Sequence, residues 1–111
     1  MKYNIIWSKD AGEEFIEIIS WYKYNAGKTV AQKTYAKINS QIKKLKDMPG
    51  MGKQVQILKD IGINDYRQIV QDHWILYYKT EGQCIHIISV IDGRRNLEEI
   101  LYKKIIDGKI K

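Results

Sequence analysis

Ile85-His86-Ile87-Ile88-Ser89-Val90-Ile91-Asp92-Gly93-Arg94-Arg95 is the stretch on which the reading of the fold turns. Residues 85–91 are apolar on both faces of a strand except at His86 and Ser89, the pattern of a strand placed centrally in a sheet. Asp92-Gly93 ends the run, and two arginines follow at once. Upstream, Glu81-Gly82 marks a turn that separates this strand from Trp74-Ile75-Leu76-Tyr77-Tyr78. Gln71-Asp72-His73 marks another, leading back to a strand over Tyr66–Val70. Val55-Gln56-Ile57-Leu58 is a further short strand candidate, ending before Lys59-Asp60-Ile61-Gly62.

Toward the N-terminus the hydrophobic period changes. Tyr3, Ile5 and Trp7 alternate with Lys2, Asn4 and Ile6, so residues 2–7 read as a strand, and Ser8 is placed to cap the next segment. From Ala11 to about Ala26 the spacing is helical, with Ala11, Phe15, Ile18, Ile19 and Tyr22 on one stripe and Glu13, Glu17 and Ser20 opposite. Gly27 fits the position after a helix end, and Thr29 with Gln32 matches a capping box for a second helix. That helix is apolar at Ala31, Tyr35, Ile38, Ile42 and Leu45. Lys33, Lys37 and Lys44 lie almost diametrically opposite and read as a solvated face in preference to a phosphate-binding one. Met48-Pro49-Gly50-Met51-Gly52 breaks the helix, and so short a connection makes the pair an antiparallel hairpin. Asn96 with Glu99 marks a last helix, whose stripe is Leu97, Ile100, Leu101 and Ile105. The order is β-α-α-β-β-β-α. It specifies one α+β domain over residues 1–111: an N-terminal strand, an antiparallel helical hairpin, a three- to four-strand antiparallel sheet and a C-terminal helix.

Composition bounds the function. The chain has 111 residues, 44% of them hydrophobic and 29% charged, the balance of a globular protein with one core. A single cysteine, Cys84, excludes an internal disulfide and a cysteine-based zinc site. No Cys/His cluster has metal-ligand spacing and no glycine-rich phosphate loop occurs, so neither metal nor nucleotide cofactor is expected. The N-terminal apolar run is too short for a signal peptide and no stretch is long enough to span a membrane, so a cytoplasmic protein without membrane contact is expected. The net charge of +6 points to an anionic partner, or to an AT-rich genome that enriches Lys and Ile together. Charge alone decides neither.

Three stretches together resemble the RelE/ParE toxins of type II toxin–antitoxin systems, over roughly residues 3–103. Leu45, Pro49 and Gly52 are similar to the family's Leu-x-x-x-Pro-x-x-Gly turn. Tyr66-Arg67-Gln68-Ile69 followed by Trp74–Tyr78 is similar to its paired strands, and Val90–Arg95 resembles the strand end of the ParE branch. The resemblance implies a toxin, plasmid stabilization as one setting, and a cognate antitoxin as partner. It implies one of two targets: DNA gyrase, for a ParE-like gyrase inhibitor that is no enzyme, or the ribosome with its mRNA, for a RelE-like mRNA interferase. A homodimer or a toxin–antitoxin hetero-oligomer is compatible with either.

The nuclease needs a proton acceptor for the 2′-OH, cations at the phosphorane and a proton donor for the leaving oxygen. The family's catalytic Arg aligns with Ile75, which removes the main cation. Candidates for the rest are Arg67, Tyr78, His86, Arg94 and Arg95. Arg67, Arg94 and Arg95 are also the candidates for target contact. Each has a plainer reading. Arg67 fits an ion pair with a nearby carboxylate, His86 fits a hydrogen-bonded core residue, and His73 fits an exposed turn. Arg94 and Arg95 are expected to leave the strand end on opposite sides and to contact a target or the antitoxin. Together these readings favour the gyrase-directed branch. The nuclease, and a degenerate member that keeps antitoxin binding without toxicity, are the alternatives.

Overall fold

The computed structural model describes residues 2–111. Strand β1 (Asn4–Trp7) passes through Ser8 into helix α1 (Lys9–Ala26). The Ser8 Oγ accepts the Ala11 N–H at 3.0 Å and donates to the Ile88 carbonyl at 3.1 Å, so one side chain caps the helix and pins its start to the sheet. Gly27, at φ 96° and ψ 163°, turns the chain through backbone space that only glycine enters freely, and α2 (Lys28–Leu45) begins at once. The capping box expected at Thr29 and Gln32 is absent. The glycine that ends α1 also occupies the cap position of α2, so Thr29 falls inside the first turn and no side chain caps it.

Beyond the Met48–Gly52 break come β2 (Lys53–Gln54), a single helical turn α3 (Gln56–Lys59), β3 (Tyr66–Gln71), β4 (Trp74–Glu81), β5 (Cys84–Asp92) and α4 (Leu97–Ile106). The strand expected over Val55–Leu58 is therefore a correction. Pairing stops at Gln54, and a helical turn buries Val55 and Leu58, three residues apart on one side, against Tyr66, Leu101 and Ile110. So short an apolar run has no period that distinguishes the two outcomes. At Asn96 the expected signature is realised, with its Oδ1 accepting the Glu99 N–H at 3.2 Å.

The five strands are ordered β1-β5-β4-β3-β2. The antiparallel sheet read from the sequence is β5-β4-β3-β2, and β1 joins its edge parallel to β5, from Asn4 opposite Cys84 to Trp7 opposite Ile87. The middle strand is β4; the 85–91 run lies one place from the edge. A bulge at Ile88 places Tyr77 opposite Ser89 and Tyr78 opposite Ile87, which bends β5 there. Each face of the sheet carries its own core. Ile38, Ile42, Leu45 and Ala11 of the hairpin meet Leu76, Tyr78, Ile85 and Ile87 on one side. Leu58, Leu101 and Ile110 meet Ile75, Tyr77 and Ile91 on the other.

β1 ends opposite Ile87, and α1 covers the edge of β5 beyond it. The Glu14 carboxylate accepts the Ser89 hydroxyl at 2.8 Å and the Val90 N–H at 3.2 Å, in the place of a neighbouring strand. Lys104, reaching over from α4 with its side chain 9% exposed, bonds Asp10 at 2.8 Å and approaches Glu14 to 3.5 Å. Lys109 adds a second bond to Asp10 at 3.0 Å. The bonded Lys104 ammonium holds the Asp10 carboxyl below its ordinary 3.8, outweighing the opposing effect of burial.

Replacing Lys104 with Ala leaves Glu14 without its cation and Asp10 held by Lys109 alone, on a partly buried edge, and is expected to cost about 1–3 kcal/mol in urea unfolding. Because Asp10 is depressed in the folded state, its contribution is complete above 3.8 and is lost as the pH falls through its folded value. Acid titration of stability should show this loss in the natural protein and a smaller one in Lys104→Ala. Parallel acid profiles would contradict the assignment.

Candidate functional site

The C-terminal end of β5 gathers most of the exposed chemistry. Asp92 closes the strand opposite Trp74, and the Gly93 N–H donates to the His73 carbonyl at 2.7 Å. Position 93 is tight: a Cβ would lie 3.0 Å from Ile75 Cδ1 and 3.2 Å from the His73 carbonyl oxygen, so a side chain there would require its neighbours to shift. The chain turns directly after Asp92, with the Arg95 N–H donating to the Asp92 carbonyl at 3.1 Å, and Arg94 folds back on the Asp92 side chain. Its backbone N–H and Nε each bond Oδ1 at 2.9 Å, while Nη2 bonds Oδ2 at 2.6 Å. This fork pulls the Asp92 carboxyl down to about 2, so the pair stays ionised through the neutral range.

Arg95 makes no ion pair among the described residues. It stands exposed between two grooves, one of about 250 Å³ walled by Glu17, Trp21 and Trp74, the other of about 440 Å³ running to Asn96, Glu99 and Lys103. The expectation that the two arginines leave a strand on opposite sides is corrected, because β5 has already ended at Asp92. The two are also unequal. The charge of Arg94 is shared with Asp92, and that of Arg95 is free.

An aromatic wall stands beside them. Tyr22 near the end of α1 places its hydroxyl 3.4 Å from His73 Nε2 and meets Trp74 edge-on, with ring centroids 6.1 Å apart. His73 and Trp74 lie 4.4 Å apart, and Trp21, 59% exposed, packs edge-on against Tyr22. The turn that presents His73 needs a positive φ at Asp72, 57°, a conformation Asp adopts more readily than most side chains. His73 is thus partly buried and held by two aromatic neighbours, where the sequence suggested an exposed turn. Sequence reading missed Trp21, Tyr22, His73 and Asp92 as members of this end, because they meet only when α1 crosses the sheet. The one available signal was Asp92 two residues before Arg94.

The remaining candidates lie elsewhere. Arg67 Nη1 bonds the Gly52 carbonyl at 2.7 Å, so its partner is backbone and not the carboxylate expected. Opposite it in the ladder, Tyr78 is fully buried; its hydroxyl donates to the Pro49 carbonyl at 2.8 Å and accepts the Gly52 N–H at 3.0 Å. Burial raises the Tyr78 hydroxyl above its ordinary value, against smaller lowering effects from the Gly52 N–H and Arg67. Gly52 is required, since a Cβ would lie 2.6 Å from the Tyr78 hydroxyl. Arg67 and Tyr78 together lock the Pro49–Gly52 turn onto the sheet.

His86 is on the opposite face from Tyr78, 3.5 Å from Glu81, whose other oxygen is 3.9 Å from Lys79. Lys79 in turn stands 5.4 Å over the Tyr66 ring. From His86 to Asp92 is six residues of strand, roughly 20 Å. The five named residues therefore occupy three separate places. Ile75 is buried in the core on the face that carries Leu101 and Ile110, beside Gly93. No group of three His, Cys, Asp or Glu among the described residues is arranged to hold a metal.

The sheet, with a helical hairpin on one face and a short helix on the other and Gly93-Arg94-Arg95 after its last strand, is an α+β arrangement of the kind seen in RelE/ParE-like toxins. Residues 5–97 match the family described as the ParE toxin of the type II toxin–antitoxin system parDE, and the chain belongs to that family. In three dimensions it is similar to a chain of the chromosomal ParDE system from P. aeruginosa, with a TM-score of 0.66 and 17% identity over 82% of this chain and 96% of that one. No curated protein matches it.

Tyr78→Phe removes both turn contacts while preserving the ring, and leaves the buried Gly52 N–H unpartnered. A loss of about 1–3 kcal/mol is expected in urea unfolding. An unchanged midpoint would show that the turn holds itself.

Proposed function

We propose that this chain is a toxin that acts by protein contact on DNA gyrase and is held inactive by a cognate antitoxin covering its surface. The observation that carries the reading is the separation of the candidate nuclease groups. A 2′-OH attack needs acid, base and cation within reach of one phosphate. Here Tyr78 is buried against a turn, His86 is on the other face, and Arg94 and Arg95 are at the far end of β5. What remains exposed in one place is an arginine beside Trp21, Tyr22 and Trp74. That is the composition of a protein-contact hot spot, where Trp, Tyr and Arg dominate binding.

Support for antitoxin cover comes from the hairpin. Ile16, Trp21 and Tyr24 leave α1 exposed by 67%, 59% and 86%, more apolar surface than a free helix needs to show. Their position favours an antitoxin segment lying along α1 and over the Arg95 end of the sheet.

Two measurements test the proposal. Induction in cells is expected to reduce plasmid supercoiling with mRNA intact. Codon-phased mRNA cleavage with unchanged supercoiling would overturn it in favour of a ribosome-dependent nuclease, and unaffected growth would point to a member without toxicity. Arg94→Ala with Arg95→Ala is expected to abolish growth inhibition while the far-UV circular dichroism stays unchanged. Because Asp92 already engages Arg94, Arg95→Ala alone should cost about tenfold or more in inhibitory potency, and Arg94→Ala less. Equal losses would mean that Asp92 does not distinguish them. Antitoxin addition should slow hydrogen exchange along α1.

A further inference from the structure

The basic charge of this protein is concentrated in α2 and the residues just before and after it. Between Lys23 and Lys46 there are seven lysines and no acidic residue, while the other 12 basic residues are outnumbered by the 13 acidic ones. The whole excess of +6 therefore belongs to the hairpin turn and α2. Lys33, Lys37 and Lys44 form one exposed row, rising roughly 16 Å along the helix axis. Lys33 and Lys44 make no ion pair among the described residues. Lys37 meets Asp72 at 3.5 Å with both side chains more than half exposed, a contact a competing anion displaces at little cost.

The row borders a groove of about 440 Å³ between α2 and the β2–β3 edge. Gln41, within a turn of both Lys37 and Lys44, lines one wall, and Lys53 and Gln68 line the other. No carboxylate lines it. A concave surface bearing a single sign of charge concentrates the field toward an anion.

We propose that the lysine face of α2 and the groove beside it dock the phosphate backbone of duplex nucleic acid without reading its sequence. The surface carries lysines, point charges suited to phosphate, and no arginine fork to read a base edge. The row holds no aromatic side chain on which an unpaired base could stack, so a duplex fits better than a single strand. The surface adjoins the β3–β4 turn through Lys37 and Asp72 but includes neither Arg94 nor Arg95, and the inference does not rest on which target the toxin blocks.

The test is fluorescence anisotropy of the full chain with a labelled mixed-sequence duplex of about 20 base pairs. With three or four phosphate contacts, affinity should fall on the order of 40- to 150-fold between about 50 and about 200 mM salt. Lys33→Gln/Lys37→Gln/Lys44→Gln should lose most binding and flatten the logarithmic salt slope by about 2.7. Lys59→Gln/Lys103→Gln/Lys111→Gln, with the same net charge on other faces, should bind nearly as the natural chain does. Circular dichroism confirms folding of both. Absence of duplex binding at the lower salt would overturn the proposal, as would equal losses in the two triple variants. Displacement of the duplex by polyglutamate at matched charge would also overturn it, identifying an acidic protein as the partner.

Discussion

The carboxylate of Glu14 sits where a neighbouring strand would otherwise run, accepting the Ser89 hydroxyl and the Val90 N–H from the open edge of β5. A buried strand edge must find partners for its backbone groups, and a short β1 supplies them only as far as Ile87. Glu14 continues that service from a helix. Its charge is tolerable there because Lys104 arrives from the opposite layer and is shared with Asp10. Three layers thus meet at one polar knot: α1 of the hairpin, the sheet, and α4 beneath it. The knot fixes the direction in which α1 crosses the sheet, and so decides that its far end, with Trp21 and Tyr22, lands beside His73 and Trp74.

From that crossing follows the asymmetry of the molecule. On one side, Arg67 of β3 and Tyr78 of β4 lock the Pro49–Gly52 turn onto the sheet, spending their polar groups on its backbone. The C-terminal end of β5 keeps a free arginine, an aromatic wall and shallow grooves. Residues that look alike in the sequence are divided between the two tasks. Arg67 is structural and Arg95 is presented. Arg94 stands between, exposed yet engaged by Asp92.

Much of this was legible beforehand, and the exceptions have physical causes. The hairpin, the strands from Tyr66 onward and the last helix follow from long hydrophobic periods and clear turn residues, so α1, α2, β3, β4, β5 and α4 fall close to their expected places. Val55–Leu58 was misread because four apolar-rich residues carry no decisive period. Thr29 was misread because Gly27 serves both helices. The parallel seat of β1 was invisible, since nothing local says which edge a distant strand joins. At the site, Arg94 and Arg95 stood out by type and position. Their unequal engagement did not, because it depends on the turn after Asp92 that brings Arg94 back onto that carboxylate. Trp21 and His73, 52 positions apart in sequence order, had no shared pattern to find.

The parallel pairing of β1 also sets the order in which the molecule is made. Asn4 pairs with Cys84, and the Ser8 hydroxyl bonds a carbonyl 80 residues later. Contacts of such sequence separation form late and slow the rate-limiting step, since a long loop must close before they repay it. On the ribosome the first strand must wait for about 80 further residues, roughly 4–16 seconds at ordinary elongation rates. Throughout that interval α1 has neither its N-terminal anchor nor the edge it covers. The Arg95 surface, which depends on that crossing, is therefore assembled only after β5 has been made.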